Sequence, residues 1–275
     1  MSKIWYITGA SKGLGLALTK KLLKEGQKVI ATTRTVDTLI ENVEANSSNL
    51  LPLKVDLTSD EEIRSSIEQG ISHFGGLDVV VNNAGFGIGG SIEELSDYEV
   101  RESLDINILA TIRVIHHALP HLRKQRSGHI INIASIGGVS ASLGWSVYSA
   151  TKFAIVGLSE GLAMDVKNLG IKVTALAPGA FRTEFLTKAS LSIAKNQIGD
   201  YEDVHASILK FDKMNGNQIG DPDKAAEVML SISKMQNPPY LLFIGSDAYK
   251  RAYNQAEILK DNIEQYKEIT LGTDY

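Results

Sequence analysis

Tyr148 and Lys152 stand four residues apart in a stretch with a helical pattern, Tyr148-Ser149-Ala150-Thr151-Lys152. That spacing puts a phenol and an ammonium on one helix face, about 5–6 Å apart at Cβ. A phenol with an ordinary pKa of about 10 exchanges protons poorly near neutrality. A neighbouring ammonium favours the phenolate and pulls that pKa down. Lys152 can also donate hydrogen bonds to hydroxyls of a bound ligand. Alone, such a pair is ordinary decoration of a helix surface; its company gives it meaning. Ser135 follows the apolar run Ile130-Ile131-Asn132-Ile133-Ala134. A serine at the carboxyl end of a buried strand can donate to a carbonyl oxygen, although the residue type also makes turns and caps.

A second constellation lies near the N-terminus, where Thr8-Gly9-Ala10-Ser11-Lys12-Gly13-Leu14-Gly15 joins a strand-like run to a helical pattern. Glycines let a backbone turn tightly and approach a pyrophosphate held at a helix N-terminus. The spacing is G-x-x-x-G-x-G rather than the commoner G-x-G-x-x-G. The next strand ends Ala31-Thr32-Thr33-Arg34, with no acid to accept from the ribose hydroxyls of NAD. Arg34 can grip a 2′-phosphate through its planar fork, and Lys12 can add a second positive charge. NADP(H) is therefore favoured over NAD(H). The nearest acid, Asp37 in Thr35-Val36-Asp37-Thr38-Leu39, reads as a helix cap. Asp56, with Leu57 beside it, is placed to meet the adenine end; a loop acid capping the next segment is the other reading.

These residues need elements to hold them. Short apolar runs at 4–8, 28–32, 50–55, 77–81, 129–133, 172–177 and 240–244 alternate with helical patterns at 13–25, 60–74, 97–121, 148–168 and 222–234. Ser59 with Glu62 and Ser96 with Glu99 form capping-box patterns, and Asp221-Pro222 offers a cap followed by proline in the first turn. Gly26 and Gly170 sit where helices should stop. Alternation with nearly continuous apolar strands predicts an α/β fold, a doubly wound parallel sheet with helices on both faces. Ligands of such sheets bind beyond the carboxyl ends of the strands, where both constellations fall. No linker or repeat divides the chain, so one domain over 1–275 is expected. The stretch 184–220 breaks the rhythm as a substrate lid, and 247–275 as a C-terminal helical tail.

Composition narrows the function. With 43% hydrophobic and 22% charged residues and a net charge of -4, the chain is an ordinary globular one. It offers no electrostatic case for nucleic acid or an anionic membrane surface. The absence of cysteine removes disulfides, zinc–thiolate sites and thiol catalysis. No apolar run approaches the roughly 20 residues of a membrane span, and the sequence enters its first strand too early for a signal peptide. A cytoplasmic protein is expected.

Taken together, Thr8-Gly9, Gly13-Leu14-Gly15, Asn82-Asn83-Ala84-Gly85, Asn107, Ser135, Tyr148, Lys152, Pro178-Gly179 and Thr183 resemble the short-chain dehydrogenase/reductase family, in its order and spacing, over residues 3 to about 185. Gly245-Ser246-Asp247-Ala248 resembles the branch with 17β-hydroxysteroid dehydrogenase-like members. The resemblance implies a seven-stranded Rossmann sheet and interconversion of an alcohol and a ketone or aldehyde. It implies Tyr148 as general acid in reduction and base in oxidation, tuned by Lys152, with Ser135 orienting the substrate oxygen. Asn107 would hold a water linking Lys152 to solvent. Asn83, Ala84 and Gly85 would pass beneath the cofactor; Pro178 and Gly179 would lead to Thr183, which would meet the nicotinamide carboxamide. It further implies a homodimer or homotetramer built on the helices of Asn107 and Tyr148.

The substrate pocket is expected from Phe86, Ile88, Val139, Leu143, Trp145 and Phe181, with Phe185, Leu186, Leu191, Ile193, Ile198, Tyr201, Val204, Ile208, Leu209 and Phe211 of the lid. That apolar set points to a hydrophobic alcohol or carbonyl, or else to packing of the lid on the domain. A non-catalytic NADP(H)-binding redox sensor is the alternative; it would be marked by a broken Ser–Tyr–Lys set, and here the set is whole.

Overall fold

Most strands of the chain are short apolar runs, and most are followed by a segment whose apolar residues return at helical spacing. The structure, a computed structural model, describes residues 2–43 and 48–275; Met1, which opens the predicted N-terminal run, lies outside them. The first half runs β1 (Ile4–Thr8), α1 (Gly13–Lys24), β2 (Lys28–Thr33), α2 (Val36–Val43), β3 (Leu50–Lys54), α3 (Asp60–Phe74), β4 (Val79–Asn82) and β5 (Gly87–Gly89). Then α4 (Asp97–Leu104) passes through a π turn (Asp105–Leu109) into α5 (Ala110–Gln125), followed by β6 (Gly128–Ile133), α6 (Ser146–Val166) and β7 (Ile171–Pro178). The remainder holds β8 (Leu191–Ile193), α7 (Glu202–Lys213), α8 (Pro222–Lys234), β9 (Leu241–Ile244), α9 (Ser246–Gln265) and α10 (Lys267–Leu271).

Seven strands form one parallel sheet in the order β3-β2-β1-β4-β6-β7-β9. The direction of winding reverses between β1 and β4, which opens a crevice at their carboxyl ends. Side chains alternate across the sheet. Trp5 and Ile7 face one layer with Leu18 and Leu22 of α1 and Met229 of α8. Tyr6 faces the other layer with Ile63 and Ile67 of α3 and Val114 of α5. Trp5, Tyr6 and Ile7 are all fully buried, each large apolar group contributing about 1.5–3 kcal/mol of transfer free energy. This is the doubly wound, helix-covered α/β sheet of a single-domain Rossmann fold.

The caps behave as their residue types dictate, with one exception. Ser96 and Glu99 close both arms of a capping box, and Asp221 accepts from the Asp223 N–H ahead of Pro222. Ser59 takes the Glu62 N–H, but the Glu62 carboxylate reaches past Ser59 to accept from the Asp56 N–H at 2.8 Å. Glu62 thereby ties the β3 loop to α3.

The helical pattern over 97–121 is not one α-helix; the π turn at Asp105–Leu109 interrupts it. Helix α6 begins at Ser146, so Tyr148 lies inside its first turn rather than at its start. The lid carries its own strand, β8, which pairs in parallel with β5 as a second small sheet. Glu94 fastens the lid further, accepting from the Ile198 N–H at 2.8 Å and facing His205 Nε2 at 2.6 Å. Those bonds and the Ser91 N–H hold its carboxyl down at about 2, the Ile198 bond foremost.

Candidate active site

A continuous cavity of about 820 Å³ runs over the carboxyl ends of the strands. At one end lies the glycine loop. Helix α1 starts at Gly13 with Lys12 as an extended N-cap, no cap from that residue's side chain and no acid in its first turn; its positive dipole end suits an anion, and the Glu184 carboxylate of the lid holds the Gly13 N–H at 3.1 Å. Gly9 needs its φ of +65°, and a Cβ there would press on Ala84 at 3.0 Å. A Cβ on Gly15 would overlap the Gly9 carbonyl oxygen and stand 2.5 Å from Asn83 Nδ2. Gly15 is thus a packing residue behind the loop and takes no part in the cavity wall. Asn83 Nδ2 donates to the carbonyls of Thr8 and Gly9 at 2.9 and 3.0 Å, and Thr8 Oγ1 accepts the N–H groups of Asn83 and Ala84. The β1 and β4 loops are stitched together at the switch point.

At the rim, Thr33 Oγ1 donates to Ser11 Oγ at 2.9 Å. Arg34 is exposed in the wall and makes no hydrogen bond among the described residues. Lys12, expected to reinforce it, is turned to the lid instead and donates to Ser190 Oγ at 2.6 Å and Ala189 O at 3.1 Å. Burial lowers the Lys12 pKa, Arg34 pushes the same way and Glu184 opposes. The Asp56 carboxylate takes the N–H and hydroxyl of Thr58 and is held below its usual range by them. Asp56 and Leu57 both lie in the wall.

At the other end Ser135, Tyr148 and Lys152 converge. Ser135 follows β6 in extended backbone and accepts the Gly137 N–H at 3.0 Å. Gly137 leaves the room between them: a Cβ there would lie 3.4 Å from Ser135 Oγ and 3.5 Å from Tyr148 Cε1. The Tyr148 ring is held edge-on by Trp145, centroids 5.5 Å apart, and tilted against Phe185 at 5.8 Å. Lys152 is buried and donates to the Ile133 carbonyl at 2.9 Å, with Nζ 5.8 Å from the Tyr148 ring centre. Asn82 to Asn132 to Ser159 forms a buried hydrogen-bonded ladder that ties α6 to the sheet. Burial pushes the Tyr148 phenol up to about 12, against a smaller pull from the Ser135 hydroxyl. Burial brings the Lys152 ammonium down to about 8. The direction is the reverse of that read from spacing alone: burial of the phenol dominates, and the Lys152 ammonium is bonded to the Ile133 carbonyl.

Asn107 lies behind the wall, on the π turn. Its Oδ1 accepts the Phe86 N–H and its Nδ2 donates to the Phe86 carbonyl, both at 3.0 Å, with Thr151 Oγ1 at 3.3 Å. Gly85 keeps a gap open beside it: a Cβ there would stand 3.0 Å from Asn107 Oδ1 and 3.6 Å from Lys152 Nζ. The wall also contains Gly9, Ser11, Gly13, Leu14, Asn83, Ala84, Gly85, Pro178, Gly179 and Thr183. Of the catalytic and cofactor residues expected from the sequence, only Gly15 and Asn107 stand outside it.

The apolar pocket list divides. Phe86, Trp145, Phe181, Phe185, Leu186 and Phe211 line the cavity. Ile88, Leu191, Val204 and Ile208 are buried in the packing of the lid on the body. Leu143, Ile193 and Leu209 are exposed, and Val139, Ile198 and Tyr201 lie off the wall. Glu184, Met214, Gln218, Asp247 and Arg251 line the cavity without having been singled out for it. Asp247 Oδ2 accepts the Ala180 N–H at 2.8 Å, and Arg251 donates to the Ser140 carbonyl and to Ser142 Oγ. The i,i+4 spacing of Asp247 and Arg251 on a helix was the available signal; Gln218 carried none.

The glycine loop, the head of α1 and the exposed Arg34 form a donor set that fits a dinucleotide. Residues 3–193 match the family model described as short chain dehydrogenase. A 3-ketodihydrosphingosine reductase of Bacteroides thetaiotaomicron is 35% identical over 264 residues, 96% of each chain. A solved short-chain dehydrogenase of Streptomyces avermitilis is 32% identical, covers 100% of both chains and superposes with a TM-score of 0.93. ElxO, solved with NADP bound, is 28% identical over 91% of this chain and all of its own, with a TM-score of 0.76. Among the described residues no helix is long and apolar enough to cross a membrane.

Proposed function

Because the chain belongs to the short-chain dehydrogenase family, we propose that it is an NADP(H)-dependent oxidoreductase interconverting an alcohol and a ketone or aldehyde. The observation that carries this reading is the convergence of Ser135, Tyr148 and Lys152 on the cavity that also contains the glycine loop. NADPH would lie along Gly9–Gly15 with its phosphates at the head of α1 and its 2′-phosphate near Arg34 and Ser11, Asp56 and Leu57 flanking the adenine. Asn83, Ala84, Gly85, Pro178, Gly179 and Thr183 would hold the nicotinamide half. Bound, it supplies the hydride.

The chain's own residues handle the proton. The Ser135 hydroxyl donates to the substrate oxygen and fixes it against Tyr148. The Tyr148 phenol gives its proton to that oxygen as charge develops, leaving a phenolate. Lys152, with a pKa brought down to about 8, titrates near working pH and so passes a proton to the phenolate readily. Asn107 positions Phe86 and borders the gap left by Gly85, through which a water would connect Lys152 outward. Run backwards, the same groups take the proton from an alcohol.

The phenyl rings of the wall receive the apolar part of a hydrophobic substrate. The name of the Bacteroides relative, a ketone reductase, favours the reducing direction. The Gly245–Ala248 resemblance adds a steroid-sized alcohol or ketone to the candidates. We place the protein in the cytoplasm as a homodimer or homotetramer; Leu109, Ile112 and Phe153, exposed on the helices concerned, favour the assembly. The test is NADPH consumption by the purified protein over a panel of ketones and aldehydes, which this reading expects with at least one of them.

A further inference from the structure

Helix α9 leaves the body part-way along its length. In its first two turns Asp247 bonds to Ala180, Arg251 bonds to Ser140 and Ser142, and Ala248 is fully buried. From Ala256 to Tyr275 every residue is exposed. Among the described residues, no hydrogen bond or ion pair joins 252–275 to the body. A helix standing free in water is marginal, and helices in proteins gain most of their stability by packing an amphipathic face.

The body covers only the start of such a face. Ala248, Arg251, Ala252 and Gln255 are its covered residues. The same side continues outward as Ile258, Leu259, Asn262, Ile263 and Tyr266, at helical spacing. Ile258, Leu259, Ile263 and Tyr266, with Ile269 and Leu271 of α10, are between 47% and 71% exposed.

Two features select the occupant. The side of the helix turned away from the stripe carries Glu257, Asp261, Glu264 and Glu268, and 246–275 holds six acids against four bases. Helices that lie on membranes carry Lys and Arg there instead, so a lipid surface is a poor match. Ala252, Ala256, Leu259, Ile263 and Tyr266 follow one another in steps of four and three, the pattern of a helix that pairs with a helix. A second copy of the chain supplies that helix, and two-fold pairing uses the same patch on both partners. The six large side chains expose roughly 700 Å² together, so pairing two tails covers up to about 1,400 Å², within the range of specific, stable interfaces.

We propose that the outer part of α9, with α10, is a docking arm that pairs with the same arm of a second copy. This contact is separate from the one proposed on Leu109, Ile112 and Phe153, and it does not depend on the reductase reading.

The experiment compares the full chain with Leu259→Glu/Ile263→Glu by analytical ultracentrifugation at micromolar concentration. Charges placed in the seam should halve the mass of the assembly, while Asp261→Lys, on the opposite side, should leave it unchanged. The chain has no cysteine, which permits a second reading on a variant without added charge. Ile263→Cys should join two copies through a disulfide when oxidised by air, and Asp261→Cys should not. Equal masses for the wild type and the double variant, or cross-linking of Ile263→Cys no greater than that of Asp261→Cys, overturns the proposal. An assembly that survives the double variant would leave the Leu109, Ile112 and Phe153 contact standing and remove the arm from it. Flotation of the wild type with phosphatidylcholine vesicles, lost in the double variant, would make a membrane the occupant and overturn the pairing as well.

Discussion

The carboxylate of Glu184 accepts a hydrogen bond from the Gly13 N–H, 3.1 Å away, at the head of α1. Lys12, one residue earlier, bonds to Ser190 and Ala189. The start of the lid is thus latched to the loop proposed to hold the cofactor phosphates, and the latch is an anion where an anion is to bind.

Removing that charge should help the cofactor. Helix-end interactions of this type contribute about 0.3–1 kcal/mol, rising to about 2 in partly buried settings. Glu184→Gln is expected to tighten NADPH binding about threefold to tenfold in a fluorescence titration. Weaker binding would mean that Glu184 organises the loop and does not compete for it.

Arg34 sits in the cavity wall with no hydrogen bond among the described residues. Arg34→Asp should weaken NADPH by about tenfold or more while sparing NADH, since a charge-assisted bond to the 2′-phosphate is exchanged for repulsion. Equal losses for the two cofactors would remove Arg34 from the 2′-phosphate.

Lys152 predicts a pH dependence of stability. Its pKa falls from 10.5 to about 8 in the folded protein through burial. Between those values the unfolded chain binds more protons, so stability rises with pH across the window from about 8 towards 10. Above about 10 Tyr148, raised to about 12, works the other way: the folded protein then holds the extra proton. Lys152→Met should abolish turnover and stabilise the protein at pH 7, by on the order of 3 kcal/mol. Denaturant melts at a series of pH values decide it; a flat profile in the wild type would mean that Lys152 is paired and hydrated in a way that cancels its burial.

Asn107 clamps both backbone groups of Phe86. Asn107→Ala leaves two partners unmet, at about 1–1.5 kcal/mol for each bond, and should lower stability by about 2–3 kcal/mol. Because Phe86 lines the cavity, KM should rise as well. A stability loss with unchanged kinetics would make Asn107 purely architectural.

Much of this was legible in the sequence for a physical reason. The seven strands of the main sheet are marked by local apolar runs, and α3 and α8 by Ser59 and Asp221, whose caps act within their own turn. The glycine loop was readable because backbone sterics admit few residues there. What escaped was set by distance in the chain. No local pattern distinguishes the π turn at Asp105–Leu109 from continuing helix; its partner is Phe86, in another segment. The β5–β8 pair joins glycines to the lid, without a strand signature of its own. Apolar lid residues look alike in sequence whether they line a cavity, as Phe185 does, or pack beneath it, as Ile208 does. The rise in the Tyr148 pKa also escaped, because spacing reveals the neighbour but not the burial.

The most direct measurement is a single-turnover oxidation of bound NADPH by a ketone, in wild type and Tyr148→Phe, beside the NADPH affinity of each. Loss of the phenol proton should slow the step between about a hundredfold and ten-thousandfold, with cofactor affinity nearly unchanged. Oxidation at the wild-type rate in Tyr148→Phe would contradict the account, since another group would then have to supply the proton.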